Sequence, residues 1–274
     1  MTKLKAQTRP LTGPLPKGGP VGTTVTVEPL KGGEVQAPKA FFENPGGRLR
    51  MLRAAGVGTP RSRWLWAPVP AFLITHPTAG PILVDTAFHA SVAAQPAANL
   101  GRMMARLSRA RVEPGETITD QLRARGIDAR QLGTVILTHL HFDHAEGLAA
   151  WPQRRTFVHR LETEAPYAQI ISGMLEMANL EVLDGEEGEI EPGIRWLRTP
   201  GHSDGLISLC VDTDDGLVVI ASDCVGPLPE YFDEMDLPED FGPERDELLD
   251  QWRRIRDLRP AVVIPGHNPP VELG

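Results

Sequence analysis

Four side chains that can bind a metal lie within six residues of the chain, in the segment Thr138-His139-Leu140-His141-Phe142-Asp143-His144. The run before it, 133–137, is typical of a short buried strand, and residues 145–148 could open a helix. Along an extended chain His139 and His141 point to the same side, whereas Asp143 and His144 turn onto a neighbouring position. We therefore expect ligands for two adjacent metal ions rather than for one.

Three histidines packed this densely would repel one another when protonated, unless a metal or carboxylates compensated for their charge. Neutral imidazole together with carboxylate oxygen suits zinc, and less selectively iron, cobalt, nickel or manganese. The isolated histidines His76, His89 and His159 are interpreted instead as surface or hydrogen-bonded residues.

Two ions need more than four ligands, and three later segments supply candidates. In each segment a predicted strand is followed by a histidine or an acid: His202 after 194–198, Asp223 after 218–222 and His267 after 261–265. Each signal is weak alone, because turns of this kind and strand-end caps are common. Together and in this order they predict a dinuclear hydrolase.

The complete ligand order, His-x-His-x-Asp-His followed by His, Asp and His, resembles the signature of the metallo-β-lactamase superfamily. The resemblance extends from about Val69 to His267 and implies an α/β fold, an αββα sandwich of two mixed β-sheets flanked by helices. It also implies how the ligands divide between the ions. One ion takes His139, His141 and His202, the other takes Asp143, His144 and His267, and Asp223 bridges them.

A second acid stands at the end of a predicted strand. The segment 69–75 is expected to form a β-hairpin with 81–85, which ends at Asp85. The resemblance implies that this carboxylate supports a ligand histidine by a hydrogen bond, and His139 is the expected partner. A plain strand-end cap is the alternative interpretation.

Length and composition limit the class of protein. The 274 residues are 41% hydrophobic and 23% charged, which favours a single domain over 21–274 behind a flexible tail over 1–20. A net charge of −8 argues against a nucleic-acid partner. The two cysteines cannot form a disulfide framework, so a cytoplasmic location is expected. No run is long enough to span a bilayer, and we expect no membrane partner.

Several branches of the superfamily do not match this chain. Glyoxalase II-like enzymes carry a basic helical segment after the last metal histidine, where only seven residues follow His267. Nucleic-acid-processing members need an inserted domain or a basic arm, secreted β-lactamases need a signal peptide, and flavodiiron proteins have glutamate in place of His141. The motifs in 115–148 and 199–203 are similar instead to the N-acyl homoserine lactonases.

One departure concerns the substrate. Many of these lactonases have a tyrosine three residues after the bridging aspartate that helps to polarise the lactone carbonyl, and this chain has Gly226 there. Tyr231 is the nearest replacement along the chain. The departure calls the acyl-homoserine substrate into question, but it leaves the hydrolase unaffected.

The predicted chemistry uses a hydroxide shared by the two ions to open a lactone or an ester. Asp143 and Asp223 are the expected catalytic residues, with Asp143 orienting the hydroxide and carrying a proton to the leaving group. Residues expected to rim the substrate pocket are Trp64, Trp66, Phe88, Met103, Met104, Tyr231 and Phe232.

Other functions remain open from the sequence. The same site would suit a phosphotriester or an aryl ester, because those transition states also place charge on an oxygen facing a metal. A mononuclear iron persulfide dioxygenase and a non-catalytic scaffold are further alternatives, and the complete ligand set disfavours both. A homodimer could form through the N-terminal tail or through the basic helix predicted over 99–111.

Overall fold

The computed structural model describes residues 7–8, 25–43, 47–213, 216–226, 229–239 and 241–273. Within these residues the strands form two sheets of seven. The predicted tail, 1–20, lies outside the described residues except for Gln7–Thr8, which form strand β1.

The first sheet, which we call the N-terminal sheet, is built from residues 26–183. Its strands are β2 (Thr26–Ala37), β3 (Leu65–His76), β4 (Gly80–Val84), β5 (Arg109–Arg111), β6 (Thr134–Ile136), β7 (Arg155–His159) and β8 (Asn179–Leu183). They lie in the order β5-β2-β3-β4-β6-β7-β8. The predicted hairpin is present as the antiparallel pair β3 and β4, and β4, β6, β7 and β8 run parallel. The ends of β4 and β6 therefore lie side by side at one edge.

The second sheet, the C-terminal sheet, is built from residues 187–272 together with β1. Its other strands are β9 (Glu187–Glu191), β10 (Ile194–Arg198), β11 (Ile207–Thr213), β12 (Gly216–Ser222), β13 (Val262–Pro265) and β14 (Val271–Glu272). Their order is β1-β14-β13-β12-β11-β10-β9, and β12 runs parallel to β13. The segments that follow β12 and β13 therefore leave the sheet at the same edge.

Apolar residues occupy successive positions along the strands of both sheets, so both faces of each sheet pack against an apolar core. In β4, Ile82 and Val84 face the core between the sheets, whereas Leu83 faces the opposite core. In β12, Ile220 faces the other sheet and Val219 packs under the helices. Since successive side chains of a strand point to opposite faces, such runs need an apolar cover on each side. The result is the expected αββα sandwich.

Short helices provide that cover. They are α1 (Lys39–Glu43), α2 (Arg50–Ala54), α3 (Pro96–Asn99), α4 (Gly101–Leu107), α5 (Ile118–Ala124), α6 (Phe142–Ala145), α7 (Arg160–Glu164), α8 (Ser172–Met177), α9 (Pro229–Glu234) and α10 (Arg245–Asp257), with 3₁₀ helices at Arg61–Arg63, Glu146–Ala150 and Pro166–Ile171. No helix in the described ranges has the length and hydropathy needed to cross a bilayer.

Two predictions of secondary structure differ from the structure, and a third is confirmed in part. The basic helix predicted over 99–111 is only Gly101–Leu107, because Arg109–Arg111 pair with β2 as a strand. The sequence over 160–178 predicts a helical segment whose start is broken by Pro166; the structure has this break and divides the segment into three pieces, with Pro166 beginning the second. The proline- and acid-rich composition of the segment 227–242 predicts a loop, but the segment contains α9.

Candidate metal centre

The seven predicted ligand side chains meet at the edge where the strands of both sheets end. Two groups have ligand atoms that all lie within 4.8 Å of one another, His139 with His141 and His202, and Asp143 with His144 and His267. A third such group, His139 with His144 and Asp223, overlaps both. The structure thus brings together the residues that the sequence places at separate strand ends.

Local structure explains why the motif serves two positions. His139 and His141 follow β6, His141 has an extended backbone, and α6 then begins at Phe142. This helix turns the chain, so Asp143 and His144 face a neighbouring position. The rings of His139 and His144 remain close, with centroids 4.2 Å apart, because the turn is tight.

Asp223 lies between the two groups. Its Oδ2 atom is 3.3 Å from His202 Nε2 and 3.4 Å from His267 Nε2, and its Oδ1 atom is 3.4 Å from His144 Nε2. One carboxylate thus faces histidines of both groups, as a bridging ligand would. Gly266 permits this approach, because a Cβ atom there would lie 1.8 Å from Asp223 Oδ1.

Buried polar atoms test whether these residues suit a metal. His139 Nε2, His144 Nε2 and Asp223 Oδ1 are buried and have no hydrogen-bond partner among the described residues. Leaving three such atoms unpaired costs free energy that a cation held between them would recover. The donor set of imidazoles and carboxylates fits divalent zinc or a similar ion.

The protonation states of two of the ligand histidines also favour metal binding. Burial holds the pKa of His139 well below its usual value and lowers the pKa of His202 to about 4, so both rings are neutral near pH 7. Burial opposes a high pKa at His144 as well, but the carboxylates of Asp223 and Asp85 outweigh it and raise the pKa well above its usual value. A metal binding to His144 must displace that proton, so its affinity falls as the pH falls.

Asp85 supports a different histidine from the one expected. Its Oδ2 atom is 2.8 Å from His144 Nδ1, and the carboxylate also accepts hydrogen bonds from the backbone N–H and the hydroxyl of Thr138. His139 Nδ1 lies instead 3.1 Å from the Thr138 hydroxyl. The first turn of α6 brings His144 back beneath the end of β4, which is why His144 is the partner.

A buried carboxylate that the sequence analysis missed joins the ligand loops. Glu162 is fully buried and accepts from Leu140 N at 2.8 Å, from Ser203 Oγ at 2.7 Å and from Gly205 N at 3.1 Å. Tyr167 donates its hydroxyl to the same carboxylate at 3.0 Å. Leu140 lies between two ligand histidines and Ser203 follows a third, so Glu162 fixes both loops. Its position in an acidic helix gave no signal of this role.

Five of the ligands, His141, Asp143, His202, Asp223 and His267, form the floor of a cavity of about 390 Å³ whose walls are largely apolar, whereas His139 and His144 are fully buried. Of the predicted rim residues, Met104 lines this cavity. The other wall residues are Phe41, Phe42, Leu140, Phe142, Tyr167, Ile170, Gly201, Cys224, Phe241, Glu244 and Leu248. Most of them come from segments with no motif, so the sequence offered no signal for them.

Most of the other predicted rim residues lie elsewhere. Phe88 is buried against Phe142 with ring centroids 6.1 Å apart, and Phe232 is buried against Trp252. Each of these two rings completes a core beneath a sheet. Neither lines the cavity.

The remaining four predicted residues are also outside the cavity lining, and one of them, Met103, is 70% exposed. Trp64 is buried beside Gly56, and Trp66 lies exposed with Arg111 over its ring. Tyr231 packs against the core under α10, so it does not replace the tyrosine absent at Gly226. Of these residues only Tyr231 is close to a ligand in the sequence, eight residues after Asp223, and this proximity does not bring it to the cavity.

Comparisons with known proteins agree with this architecture. A model of the metallo-beta-lactamase superfamily matches residues 64–267. An N-acyl homoserine lactonase of Bacillus cereus is 28% identical over 248 residues, which are 86% of this chain and 96% of that protein. N-acyl homoserine lactonase AiiA of Bacillus thuringiensis subsp. kurstaki is 30% identical over 239 residues, 84% of this chain and 93% of the relative.

A solved structure shows the same fold. It is an N-acyl homoserine lactone hydrolase with the product N-hexanoyl-L-homoserine bound at the catalytic metal centre, with a TM-score of 0.69 at 24% identity over 88% of this chain and 92% of that one. Because the family model spans most of the sequence and includes all seven candidate ligands, this chain belongs to the metallo-beta-lactamase superfamily.

Proposed function

We propose that this protein is a metal-dependent hydrolase that opens the lactone ring of N-acyl homoserine lactones, using two divalent ions. The observation that carries the proposal is the pair of ligand groups, sharing Asp223, at the floor of an apolar cavity. The relatives named N-acyl homoserine lactonase support the substrate class. Ring opening would inactivate these lactones as signals between bacteria, which is quorum quenching.

The residues would hold zinc, or iron, cobalt, nickel or manganese, in two positions. His139, His141 and His202 would hold one ion, Asp143, His144 and His267 the other, and Asp223 would contact both. Two ions at such a site would lower the pKa of bound water towards neutrality and would also polarise the carbonyl group of the substrate by attracting its oxygen.

Asp143 and Asp223 are the proposed catalytic residues. Both line the cavity, and Asp143 Oδ2 is 3.6 Å from His267 Nε2. Asp223 fixes the spacing of the two groups. From the cavity floor, Asp143 can accept a proton from the attacking water and transfer it to the leaving oxygen when the ring opens.

The cavity walls suit an acyl chain. Phe41, Phe42, Met104, Ile170 and Leu248 present apolar surface above the polar floor. An extended alkyl chain laid along this surface loses its contact with water, which stabilises the complex by about 0.8 kcal/mol for each buried methylene. The polar lactone would then face the ligands and the alkyl chain the walls.

No tyrosine hydroxyl is available for the substrate carbonyl. The chain has only two tyrosines. Tyr167 gives its hydroxyl to Glu162, and Tyr231 does not line the cavity. Stabilisation of the developing oxyanion therefore falls to the metal site, which also suits a phosphotriester or an aryl ester as an alternative substrate.

Metal analysis and a pH-stat assay with a long-chain acyl-homoserine lactone test the proposal on one purified sample. We expect about two divalent ions per chain and acid release from the lactone. Asp223→Ala should lose the metal and the activity, whereas Asp128→Ala, at an exposed position, should keep both. Two ions with hydrolysis of paraoxon or an aryl ester but not of the lactone would overturn the substrate. One iron per chain would overturn the dinuclear hydrolase.

The cytoplasmic location, the single domain over 21–274 and a possible homodimer remain predictions. Gel filtration with light scattering would measure the mass in solution and decide between a monomer and a dimer.

A further inference from the structure

One part of the chain has a charge opposite to that of the whole. Residues 44–112 contain nine arginines and a single acid, Asp85, although the protein has a net charge of −8. Asp85 is fully buried at the metal centre. The exposed formal charges of this segment are therefore all positive.

The same segment exposes large apolar side chains. Short helices α2 and α4 bury no residue at all. The exposed fractions here are 72% for Met51, 70% for Met103, 61% for Val57, 60% for Leu49 and 51% for Leu52. Scattered apolar residues are normal on a surface, but a group of this size together with a uniform charge marks an interaction site.

Strand pairing places these residues at one corner of the N-terminal sheet. Ala37 at the end of β2 pairs with Leu65 at the start of β3, and Gln36 pairs with Arg109 at the start of β5. The described residues next to these strand ends, 38–43, 47–64 and 101–108, must therefore lie together. Arg61 Nη2 donates to the carbonyl of Arg106 at 3.5 Å, which joins them directly.

This corner lies at the mouth of the cavity. Phe42 of α1 and Met104 of α4 line the cavity, and Arg50 Nη1 is 3.5 Å from Glu244 Oε1, which also lines it. We name the exposed residues of this corner the basic rim: Arg48, Leu49, Met51, Leu52, Val57, Arg61, Arg63, Arg102, Met103 and Arg106.

We propose that the basic rim docks the protein peripherally on an anionic lipid bilayer. The methionine, leucine and valine side chains would enter the boundary between headgroups and acyl chains, and the arginines would bind the anionic headgroups. The lack of a membrane-spanning segment led us to expect no membrane partner, but peripheral docking needs no such segment.

A bilayer fits the rim better than a second copy of the chain does. The remainder of the chain is acidic, with 36 acids in the whole chain against 28 basic residues, so it would complement the charge. In the described residues, however, large exposed apolar side chains outside the segment 49–103 are only Ile170, Met177 and Val182. A second copy therefore offers either the opposite charge without a matching apolar surface or, through its own rim, an apolar surface with the same charge, whereas an anionic bilayer offers both the opposite charge and an apolar interior.

Vesicle sedimentation tests this proposal on the purified, metal-loaded full chain. Binding would be compared between vesicles of phosphatidylglycerol with phosphatidylcholine in equal parts and vesicles of phosphatidylcholine alone. The apolar variant combines Met51→Ser with Leu52→Ser, which leaves the charge unchanged. The charge variant combines Arg48→Gln, Arg63→Gln and Arg102→Gln. Matched controls are Met177→Ser, at a residue exposed by 48%, and Arg253→Gln.

We expect binding to the anionic vesicles only, weakened by salt because the attraction is electrostatic. The apolar variant should bind at least tenfold more weakly. The charge variant should lose a factor on the order of 100, about fivefold for each arginine. Both controls should bind as the unmodified chain does. Since α2 buries no residue, the melting temperature of the apolar variant should be unchanged.

Three results would overturn the proposal. Two are the absence of binding by the unmodified protein to anionic vesicles and equal binding by all variants. The third is a dimer in sedimentation velocity that the apolar variant abolishes while no vesicle binding occurs, which would assign the rim to a second copy. None of these measurements depends on the lactone substrate.

Discussion

At the scale of single residues, Glu146 is a buried acid that the proposed chemistry does not use. Its Oε2 atom accepts a hydrogen bond from the backbone N–H of His89 at 2.5 Å. Its Oε1 atom is buried without a partner among the described residues. Burial raises the pKa of this carboxyl group to about 7, from an ordinary value of 4.5.

This rise in the pKa of Glu146 makes the free energy of unfolding depend on pH in a definite direction. The folded chain keeps the proton on Glu146 up to about pH 7, whereas the unfolded chain loses it near pH 4.5. Folding is therefore progressively disfavoured as the pH rises between these values, and the full penalty is present above pH 7. Glu146→Gln, which stays neutral, should raise the free energy of unfolding by on the order of 2 kcal/mol at pH 8 and by little at pH 5.

Urea unfolding at the two pH values measures this effect. Glu113→Gln, at an exposed glutamate, is the matched control and should change stability little at either pH. An equal gain from Glu146→Gln at pH 5 and pH 8 would contradict the assignment, because the benefit would then not come from removing a buried charge.

At the scale of elements, Glu162 of α7 holds together two loops that belong to different sheets. Its carboxylate accepts from Leu140 in the loop after β6 and from Ser203 and Gly205 in the loop after β10. The first of the two ligand groups, His139 with His141 and His202, is divided between these loops. Glu162 is therefore a positioning residue.

Glu162→Gln replaces one acceptor oxygen of the carboxylate with an amide NH₂ group. This group cannot accept a hydrogen bond from the N–H and O–H donors that face Glu162. We expect the metal affinity of the first group to fall by roughly 10- to 100-fold, as for other residues that orient ligands, with the second group largely retained. Titration of the metal-free protein with cobalt, followed by its absorption spectrum, would distinguish the two positions. Glu164→Gln, two residues later in the same helix, is the control. Unchanged cobalt binding would refute the role.

Some strands and helices can be predicted from their own residues, and others depend on contacts with distant parts of the chain. The ligand strands β6, β10, β12 and β13 could be predicted because each is a short apolar run followed at once by a polar ligand or a turn. The break at Pro166 could be predicted from the local sequence as well, whereas the strand Arg109–Arg111 could not, because it depends on pairing with the distant strand β2. Propensity within a window of residues does not contain those contacts.

The same distinction applies to the site. All seven ligands follow strands in the sequence, so a local pattern identified them. The hydrogen bond of Asp85 to His144 rather than His139 depends on the turn of α6, which the motif does not specify. The cavity walls combine Phe42, Tyr167 and Phe241, which are far apart in the chain, so no local pattern marks them.

At the scale of the whole molecule, the metal centre joins the two sheets. His139, His141, Asp143 and His144 follow the N-terminal sheet, and His202, Asp223 and His267 follow the C-terminal sheet. His267 Nδ1 also lies 2.7 Å from the carbonyl of Pro68 in β3, which ties the last ligand loop to the other sheet. Each of the two main ligand groups takes members from both sheets.

Removal of the metal should therefore destabilise the fold as well as stop the reaction. An ion present at 1,000 times its dissociation constant stabilises the folded state by about 4 kcal/mol. For a chain of this size, that corresponds to a fall in melting temperature on the order of 10 °C after chelation. Differential scanning calorimetry before and after dialysis against a chelator measures it, with restoration by zinc. Asp223→Ala should show no further fall, and an unchanged melting temperature of the unmodified protein would contradict the coupling.

The division of the sheets along the chain has a practical consequence. Residues 26–183 form one sheet and residues 187–272 form nearly all of the other, and the turn 184–186 between them is exposed. A chain opened at this turn would yield two fragments, neither of which carries a complete ligand group. Turnover by a mixture of the two fragments would then show that they had reassembled. The fold therefore offers a split enzyme that is active only when its two halves are brought together.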